Sequence, residues 1–342
     1  MQKAAIEPEL VENRPQRTLV DYIGLAFRGA CMGASDIVPG VSGGTMAFIL
    51  GIYEELINSI RTIGQPKFIQ AAVRLRIKEL FEILNWPFLL AVGSGILFSI
   101  LTMSSILETL LIEQPVYLWS FFFGLILASI FSVSKRIRKW SLPLIVATVV
   151  GAVGAFILVG LVPLQTPDGW WFLLLSGALA SCAMILPGIS GAFILVLLGK
   201  YQFVLSAVND RDFVTLGLVA VGAGLGLVTF AQILGFLFKK YHDMTVAVLI
   251  GLMIGSLRKV WPWKLDVAWL QDAAGNRILD SHGELIVTQQ TNFLPDLSNA
   301  AGEVAVAVAL ALVGIGLILL LDRLAGAKPE EPKEKAIAAP TD

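Results

Sequence analysis

The sequence predicts an all-α polytopic membrane protein with two inverted repeats, each a broken, re-entrant helical hairpin followed by three transmembrane helices. Two observations lead to this fold class: an apolar composition, and a glycine-rich motif that occurs twice. Of the 342 residues, 56% are hydrophobic and 15% are charged, and the mean hydropathy is +0.78. A soluble domain carries about 25% charged residues, so this composition predicts several membrane spans.

The glycine-rich motif reads PGVSG at residues 39–43 and PGISG at residues 187–191, both in apolar surroundings. Glycine and then tyrosine follow each copy at the same distance. The offset between the copies is constant, since 187 − 39 and 201 − 53 both equal 148. A duplicated Pro-Gly break inside apolar sequence predicts two broken hairpins, at about residues 19–60 and 170–208.

Six full spans are predicted beside the hairpins, at about residues 88–111, 116–134, 142–162, 213–238, 244–257 and 304–321. The fifth is short for a bilayer, which requires about 20 residues, and an extension toward Trp263 would lengthen it. Each repeat therefore holds one hairpin and three spans. Because three is an odd number, the second repeat is expected to be inserted upside down relative to the first.

Charge placement predicts the orientation and the domain boundaries. Lys and Arg concentrate in loops that the span count places on one side, around residues 61–78 and 135–139, which are therefore expected to be cytoplasmic. Both termini fall on that side. The predicted units are a polar cytoplasmic N-terminus, two membrane repeats and a disordered cytoplasmic tail, at residues 1–17, 18–162, 163–323 and 324–342.

Residues 259–303 are predicted to form an extracytoplasmic insertion in the second repeat. The stretch from Arg258 to Glu303 is placed outside although it contains four cations, Arg258, Lys259, Lys264 and Arg277, because long segments obey the charge bias less strictly. Alternating polar and apolar residues around 280–283 predict a small β-hairpin within it.

Composition argues against several other classes. The formal net charge is −1, so no basic field suggests a nucleic-acid partner. Cys31 and Cys182 lack the spacing of a metal or disulfide motif, and His242 and His282 lie far apart. The sequence therefore predicts neither a metal site nor a cofactor. The N-terminal residues 1–17 are polar and of mixed charge, unlike a signal peptide.

The first motif predicts an anion site. Residues 40–45 precede an apolar stretch and therefore cap a helix N-terminus, where free N–H groups and the helix dipole attract anions. If the repeats are inverted, the two helix starts meet near the midplane and form one site, for which phosphate is a natural occupant. The alternative is that such stretches serve only close packing. Packing is the role expected of the span glycines Gly93, Gly95, Gly222, Gly224 and Gly226.

Ionisable residues inside a membrane are rare and usually functional. Arg28 and Asp36 flank the first break, where Arg28 is assigned to the anion and Asp36 to a coupling proton or cation; the alternative is that they pair or lie at the interface. Asp36 has no acidic counterpart, since 36 + 148 is Met184, so the halves differ chemically. Glu54 and Lys200 follow the broken helices, either as interfacial residues or as gates.

Residues Arg28–Thr45, RGACMGASDIVPGVSGGT, resemble the signature of the PopT-like polyprenyl-phosphate transporters, and Leu186–Phe193 resembles its second motif. The similarity covers about Asp21 to Val260. It implies a flippase that returns undecaprenyl phosphate from the outer to the cytoplasmic leaflet of the bacterial inner membrane. The carrier lipid would then be reused in cell-wall and surface-glycan synthesis. The expected partners are a polyprenyl phosphate, membrane lipid, and a coupling proton or sodium ion.

The candidate residues follow from position in the motifs and from the dipole and donor properties described above. The headgroup candidates are Arg28, Ser42, Gly43, Gly44, Thr45, Ser190 and Gly191. The candidate hinge residues are Pro39, Gly40, Pro187 and Gly188.

Two alternative functions come from other classes. A polyprenyl-diphosphate phosphatase would require a nucleophile such as Ser42 or Ser190, with assistance from Glu54. No histidine and no paired carboxylates occur in either motif, so an enzyme is not expected. A transporter of a soluble anion, or of protons or sodium, is the second alternative.

Overall fold

The computed structural model describes residues 17–38, 41–161, 166–167, 169–269, 271, 277, 279, 285 and 287–326. These residues are mostly helical. The helices of the first half are α1 (Leu19–Ile37), α2 (Gly43–Ile49), α3 (Tyr53–Ile63), α4 (Pro66–Val73), α5 (Ile77–Ile83), α6 (Trp86–Glu113), α7 (Pro115–Ser134) and α8 (Leu142–Leu158). The second half contains α9 (Trp170–Ile185), α10 (Gly191–Leu197), α11 (Tyr201–Asn209), α12 (Phe213–Val260), β1 (Lys264–Trp269), β2 (Val287–Asn292) and α13 (Leu297–Gly326).

Four helices in the described part of the chain are long and apolar enough to cross a bilayer: α6, α7, α12 and residues Ala301–Arg323 of α13. The pair α10 and α11, bent by 110°, is a fifth candidate. These helices make the chain a multi-pass membrane protein, as its composition predicts. With 17 and 16 residues, α8 and α9 are apolar but shorter, and α8 ends before the predicted boundary at residue 162.

Helix α12 contains two of the predicted spans. Its 48 residues would extend about 70 Å at 1.5 Å per residue, more than twice a hydrocarbon layer of about 30 Å. The helical dihedral angles are interrupted at Tyr241, which has φ −135° and ψ 49°. Tyr241 therefore separates a first arm from a second arm. The second arm reaches Val260, which lengthens the predicted span at 244–257.

Local structure recurs at the spacing of the motifs. Helix α10 begins and ends 148 residues after α2, and α11 begins 148 residues after α3. Gly51 and Gly199, which follow α2 and α10, have φ angles of 74° and 65°. Gln114, between α6 and α7, has the same φ and ψ as Tyr241, 127 residues later. The fold of the first half is thus repeated well beyond the glycine-rich motif.

Helices α1 and α6 run parallel in close contact. A Cβ on Gly29 would collide with the carbonyl of Val92, and one on Gly33 would approach the carbonyl oxygen of Ile96 to 2.6 Å. The contacts advance along both helices together, so the end of α1 at Ile37 lies beside the middle of α6. The first break is therefore level with the centre of a membrane span.

Glycine packing confirms part of the prediction for the span glycines. A Cβ on Gly95, Gly222 or Gly226 would collide with backbone of α1 or α9. Gly93 and Gly224 have open space where a Cβ would lie, so the prediction is wrong for these two. The reason is helical geometry, because residues two apart do not share a face.

The last membrane helix of each half, α8 or α13, packs against a helix of the other half. A Cβ on Gly124 of α7 would collide with the carbonyl of Ala311 on α13, and one on Gly251 of α12 would collide with the carbonyl of Thr148 on α8. Gly124 and Gly251 are themselves related by the offset of Gln114 and Tyr241, since 251 − 124 is 127. The third long helix of each half thus packs on the other half, which interlocks the two.

The small sheet lies between α12 and α13. Strands β1 and β2 are antiparallel, with Lys264 opposite Asn292. An antiparallel bridge joins Leu279 to Leu285, on either side of the predicted turn at 280–283, which lies outside the described residues. The predicted β structure is therefore confirmed, but its main strands pair residues farther apart than predicted.

The glycine contacts predict a stability difference between two neighbouring substitutions. Gly95→Ala should destabilise the protein by about 1–3 kcal/mol, because a methyl group would push α1 away from α6. Gly93→Ala is the matched control and should be neutral or stabilising by up to about 1 kcal/mol, since alanine favours helix and the space is open. Thermal unfolding in detergent measures both, and equal melting temperatures for the two variants would contradict the packing.

Candidate functional site

The two breaks meet inside the protein. The Ser42 hydroxyl lies 3.2 Å from the carbonyl oxygens of both Met184 and Leu186, so its single proton is shared between them. In the opposite direction, the backbone N–H of Gly188 donates to Oγ1 of Thr45 over 2.8 Å. Ser42 and Thr45 are fully buried. Side chains of the first hairpin thus satisfy backbone groups that the second break leaves without helical partners.

The start of α2 is occupied by groups of the protein itself. Ser42 is the N-cap, and its Oγ accepts the N–H of Gly44. The N–H of Gly43 donates to Oδ1 of Asp36 over 2.6 Å. In this conformation the Asp36 carboxylate therefore lies where an anion would bind at the start of the helix.

Two glycines permit this arrangement. A Cβ on Gly43 would collide with the Asp36 carboxylate, and one on Gly44 would collide with the carbonyl of Ile185. The first glycine lets a carboxylate approach the helix end, and the second lets the last turn of α9 approach α2.

The start of α10 differs from that of α2. Ser190 is its N-cap residue, but among the described residues no side chain caps the helix. Met184 occupies the position that Asp36 has in the first half. The two halves therefore differ chemically at their helix starts, with a carboxylate at position 36 and a thioether at its counterpart, position 184.

Sequence reasoning missed Ser256 as part of this region. Gly188 has a φ of 89°, and a Cβ there would lie 2.7 Å from Oγ of Ser256 on the second arm of α12. Ser256 is fully buried and donates to the carbonyl of Met253. The sequence feature that could have indicated Ser256 is the Gly-Leu-x-x-x-Ser pattern, which occurs at residues 124–129 and again at 251–256.

Each hairpin is tied together at its base. Arg17, just before α1, forms two hydrogen bonds of 2.6 Å with Glu55 at the start of α3, and Asn85 also donates to Glu55. In the second hairpin, Nζ of Lys200 donates to the carbonyl of Thr166, just before α9, over 3.0 Å. Helices α2 and α10 thus bring the chain back to the end at which each hairpin began. Lys200 is buried in this conformation.

Glu54 lies at the base of the first hairpin, next to the bend in α12. Its Oε1 is 3.3 Å from Nε2 of His242, whose Nδ1 is 3.1 Å from Asp243. Partial burial lowers the pKa of His242, but hydrogen bonds to Asp243 and Glu54 outweigh it and raise the pKa above its ordinary value. Glu54 therefore links the hairpin base to the turn at Tyr241.

Arg28 is not brought to the tips. It lies eight residues before Asp36, about 12 Å along the axis of α1. It is half-buried, and no hydrogen bond or ion pair joins it to Asp36 in the described part of the chain. Pro39 and Gly40 lie outside the described residues.

An apolar groove of about 280 Å³ runs between α9 and the first arm of α12. Cys182, on its wall, lies one turn before the second break. The groove is lined by Ala178, Cys182, Leu225, Gly226, Thr229, Phe230 and Ile233. The groove therefore lies on the side of α9 that faces α12, next to the second hairpin.

A multi-pass helical protein whose two broken hairpins meet in its interior has the architecture of a secondary transporter, in which substrate and ions bind where broken helices meet. The model of the VCA0040-like family, undecaprenyl phosphate translocase-like proteins, matches residues 32–278. The chain belongs to this family. No solved structure matches it.

Two curated relatives are both named polyprenyl-phosphate transporter. The protein from Vibrio cholerae is 40% identical over 259 residues, which cover 76% of this chain and 84% of the relative. The protein from Staphylococcus aureus is 31% identical over 258 residues, covering 69% and 85%. These matches confirm the resemblance and the prediction of a transporter in place of an enzyme. Glu54, the acid/base candidate of the phosphatase alternative, is bonded at the hairpin base.

The contact between the tips predicts the effect of removing one hydroxyl. Thr45→Val should lower the free energy of unfolding by about 1–3 kcal/mol, because it leaves the buried N–H of Gly188 without an acceptor. Thr109→Val removes an exposed hydroxyl of α6, which donates only to the carbonyl of Ser105, and is the matched control. Thermal unfolding in detergent compares the two, and a Thr45→Val melting temperature equal to that of Thr109→Val would contradict the role of this bond.

Proposed function

We propose that the protein is a flippase that carries undecaprenyl phosphate, or a related polyprenyl phosphate, from the outer to the cytoplasmic leaflet of the bacterial inner membrane. The returned lipid serves again in cell-wall and surface-glycan synthesis. The observation that carries the proposal is the meeting of two broken hairpins inside a chain 40% identical to a polyprenyl-phosphate transporter.

The contact register supports inverted repeats. Gly251 and Gly255 of the second arm of α12 pack against Thr148 and Ala152 of α8, so these helices run parallel. If α6, α7 and α8 alternate in direction, α6 runs parallel to α8 and the first arm of α12 runs antiparallel to both. Each hairpin runs beside its own long helix, so the two hairpins enter from opposite sides. Both are re-entrant in this proposal, because each returns to its own base.

The loop charges set the orientation. Loops at 61–78 and 135–139 carry the cations and are assigned to the cytoplasm. Lys135, after α7, lies 3.7 Å from Asp322 near the end of α13, which supports the assignment of the C-terminal end of the membrane region to the same side. Both termini are then cytoplasmic, and residues 259–303 are extracytoplasmic. The repeats are assigned to residues 18–162 and 163–323.

The headgroup is proposed to bind between the starts of α2 and α10, where phosphate oxygens meet backbone N–H groups and hydroxyls. The proposed ligands there are Ser42, Gly43, Gly44, Thr45, Ser190 and Gly191. Among the described residues, no side chain caps the start of α10, and position 184 beside it is not a carboxylate. The phosphate is therefore proposed to contact the start of α10 before the start of α2. Arg28, about 12 Å along α1 from Asp36, is proposed to meet the phosphate on the cytoplasmic side of the tips.

Asp36 supplies a means of coupling. A charged carboxylate forms a strong hydrogen bond with the N–H of Gly43 and repels an approaching phosphate. Protonation, or binding of a sodium ion, removes that charge and weakens the bond. The start of α2 then becomes available to the headgroup, so ion entry and phosphate binding occur together.

The polyprenyl chain is proposed to remain in lipid, in the apolar groove between α9 and α12. Pro39, Gly40, Pro187 and Gly188 are the proposed hinges for exchange between outward and inward access. Glu54 and Lys200, one at each hairpin base, are the proposed gate residues.

Transport of undecaprenyl phosphate in proteoliposomes tests the proposal. The wild-type protein should translocate the lipid, and Ser42→Ala/Ser190→Ala should reduce the initial rate at least tenfold, because both helix starts lose a hydroxyl. Ser94→Ala removes an exposed hydroxyl of α6 and should transport at the wild-type rate. No translocation by wild-type protein, with or without proton and sodium gradients, would contradict the flippase function.

The coupling role of Asp36 makes a separate prediction. Asp36→Asn keeps the shape of the side chain but cannot bind a transported proton, so transport should lose its dependence on the proton or sodium gradient. The measurement is the initial rate at several imposed gradients, with Glu113→Gln, an exposed carboxylate at the end of α6, as the control. An Asp36→Asn variant with the wild-type rate and ion dependence would remove Asp36 from the mechanism.

A further inference from the structure

A second cavity, of about 290 Å³, lies at the last turns of α8 and α12. Its lining includes three cationic side chains, Arg258, Lys259 and Lys264. Strand β2 completes the wall with residues 289–292, which are amide- or hydroxyl-bearing residues. The cavity therefore combines positive charge with neutral hydrogen-bond donors, and the function proposed above leaves it unused.

Lys264 is the most unusual of the three cations. Its Nζ is shielded from solvent, and no hydrogen-bond partner for it exists among the described residues. It lies 3.3 Å from the centre of the Trp119 ring on α7. Burial, reinforced by the charge of Lys259, holds the pKa of Lys264 well below its ordinary value. Burial therefore disfavours the charged form of this amine, and an anion bound beside it would favour that form.

Among the described residues, one carboxylate acts on the basic side chains of the cavity. Asp266 is the carboxylate that acts on Lys264 in the described part of the chain, and its Oδ1 accepts a hydrogen bond from Gln290 over 2.8 Å. Arg258 is held over the ring of Phe156, and Nη1 donates to the carbonyl of that residue. A guanidinium has five N–H donors, so Arg258 retains donors for a ligand.

The cavity is adjacent to the second hairpin. Lys259 lies over Phe193 of α10, with Nζ 5.5 Å from the ring centre. Ser256, one turn earlier on α12, is the residue that faces Gly188 at the break. The last turn of α12 thus connects the cavity to the tip region over about 5 Å of helix.

We propose that this cavity binds the phosphate group of a polyprenyl phosphate before the lipid reaches the hairpin tips. The recognised chemistry is a phosphate monoester, held by Lys259, Lys264 and Arg258 as charge-assisted donors and by the amides of β2. The assignment of the cavity to the outer face, and hence to the loading step, rests on the proposed function. Binding of the phosphate group itself does not.

Tryptophan fluorescence of the purified full chain in detergent tests the site, because Trp119 lies against Lys264. Farnesyl phosphate is the probe, and farnesol and inorganic phosphate separate its chain from its headgroup. We expect saturable quenching by farnesyl phosphate, competition by inorganic phosphate, and loss of most of the signal in Trp119→Phe. Farnesol that binds as tightly as farnesyl phosphate would overturn the proposal.

Charge variants locate the binding. Lys264→Gln and Lys259→Gln should each weaken farnesyl phosphate binding at least fivefold, and Lys264→Arg should restore much of it. Arg277→Gln is the matched control, since this cation lies in the same outer segment, over Trp269 and outside the cavity. Wild-type affinity in both lysine variants, or an equal loss in Arg277→Gln, would overturn the inference.

The binding assay is independent of transport. Lys264-dependent binding in a protein that translocates no lipid would contradict the proposed function and leave this site intact. Translocation by a protein whose binding does not depend on Lys259 or Lys264 would overturn the site and leave the function intact.

Discussion

The hydrogen bonds between the hairpin tips are the interaction on which the rest of the structure depends. A break in the middle of a membrane helix frees backbone groups, and each such group costs several kcal/mol where neither water nor protein can pair with it. Ser42 and Thr45 of one hairpin provide these partners for the carbonyls and N–H at 184–188 of the other. The second break thus depends on side chains of the first hairpin, which joins the two tips in one buried unit.

Two similar halves build a site that is not symmetric. The same offset relates the backbone of both hairpins, from helix ends to left-handed glycines. The chemistry differs at one position, where Asp36 bonds to Gly43 and its counterpart is Met184. The backbone of the two hairpins is thus similar, while the side chains at positions 36 and 184 make the two helix starts chemically different.

Much of the fold was predictable from sequence because a Pro-Gly pair inside an apolar stretch interrupts the helical hydrogen bonds, whereas the stretches between such pairs are long and apolar. The hairpins and the long helices follow from such local signals. The bonds of Ser42 join residues more than 140 positions apart, so sequence could not show that the protein's own groups occupy the start of α2. The sequence around Gly93 and Gly95 did not show which of them packs against another helix. Only the structure shows that Gly95 lies on the face of α6 that contacts α1, and that Gly93 does not.

The packing of the last helix of each half against the other half has a consequence for biosynthesis. Gly124 packs against Ala311, and the ribosome adds Ala311 to the chain 187 residues after Gly124, since 311 − 124 is 187. At about 5–20 residues per second, that interval is roughly 10–40 s. During this time the glycine face of α7 is in contact with lipid or with the insertion machinery. The first half therefore cannot mature as a unit during translation, and completion of its core is coupled to insertion of the final helix.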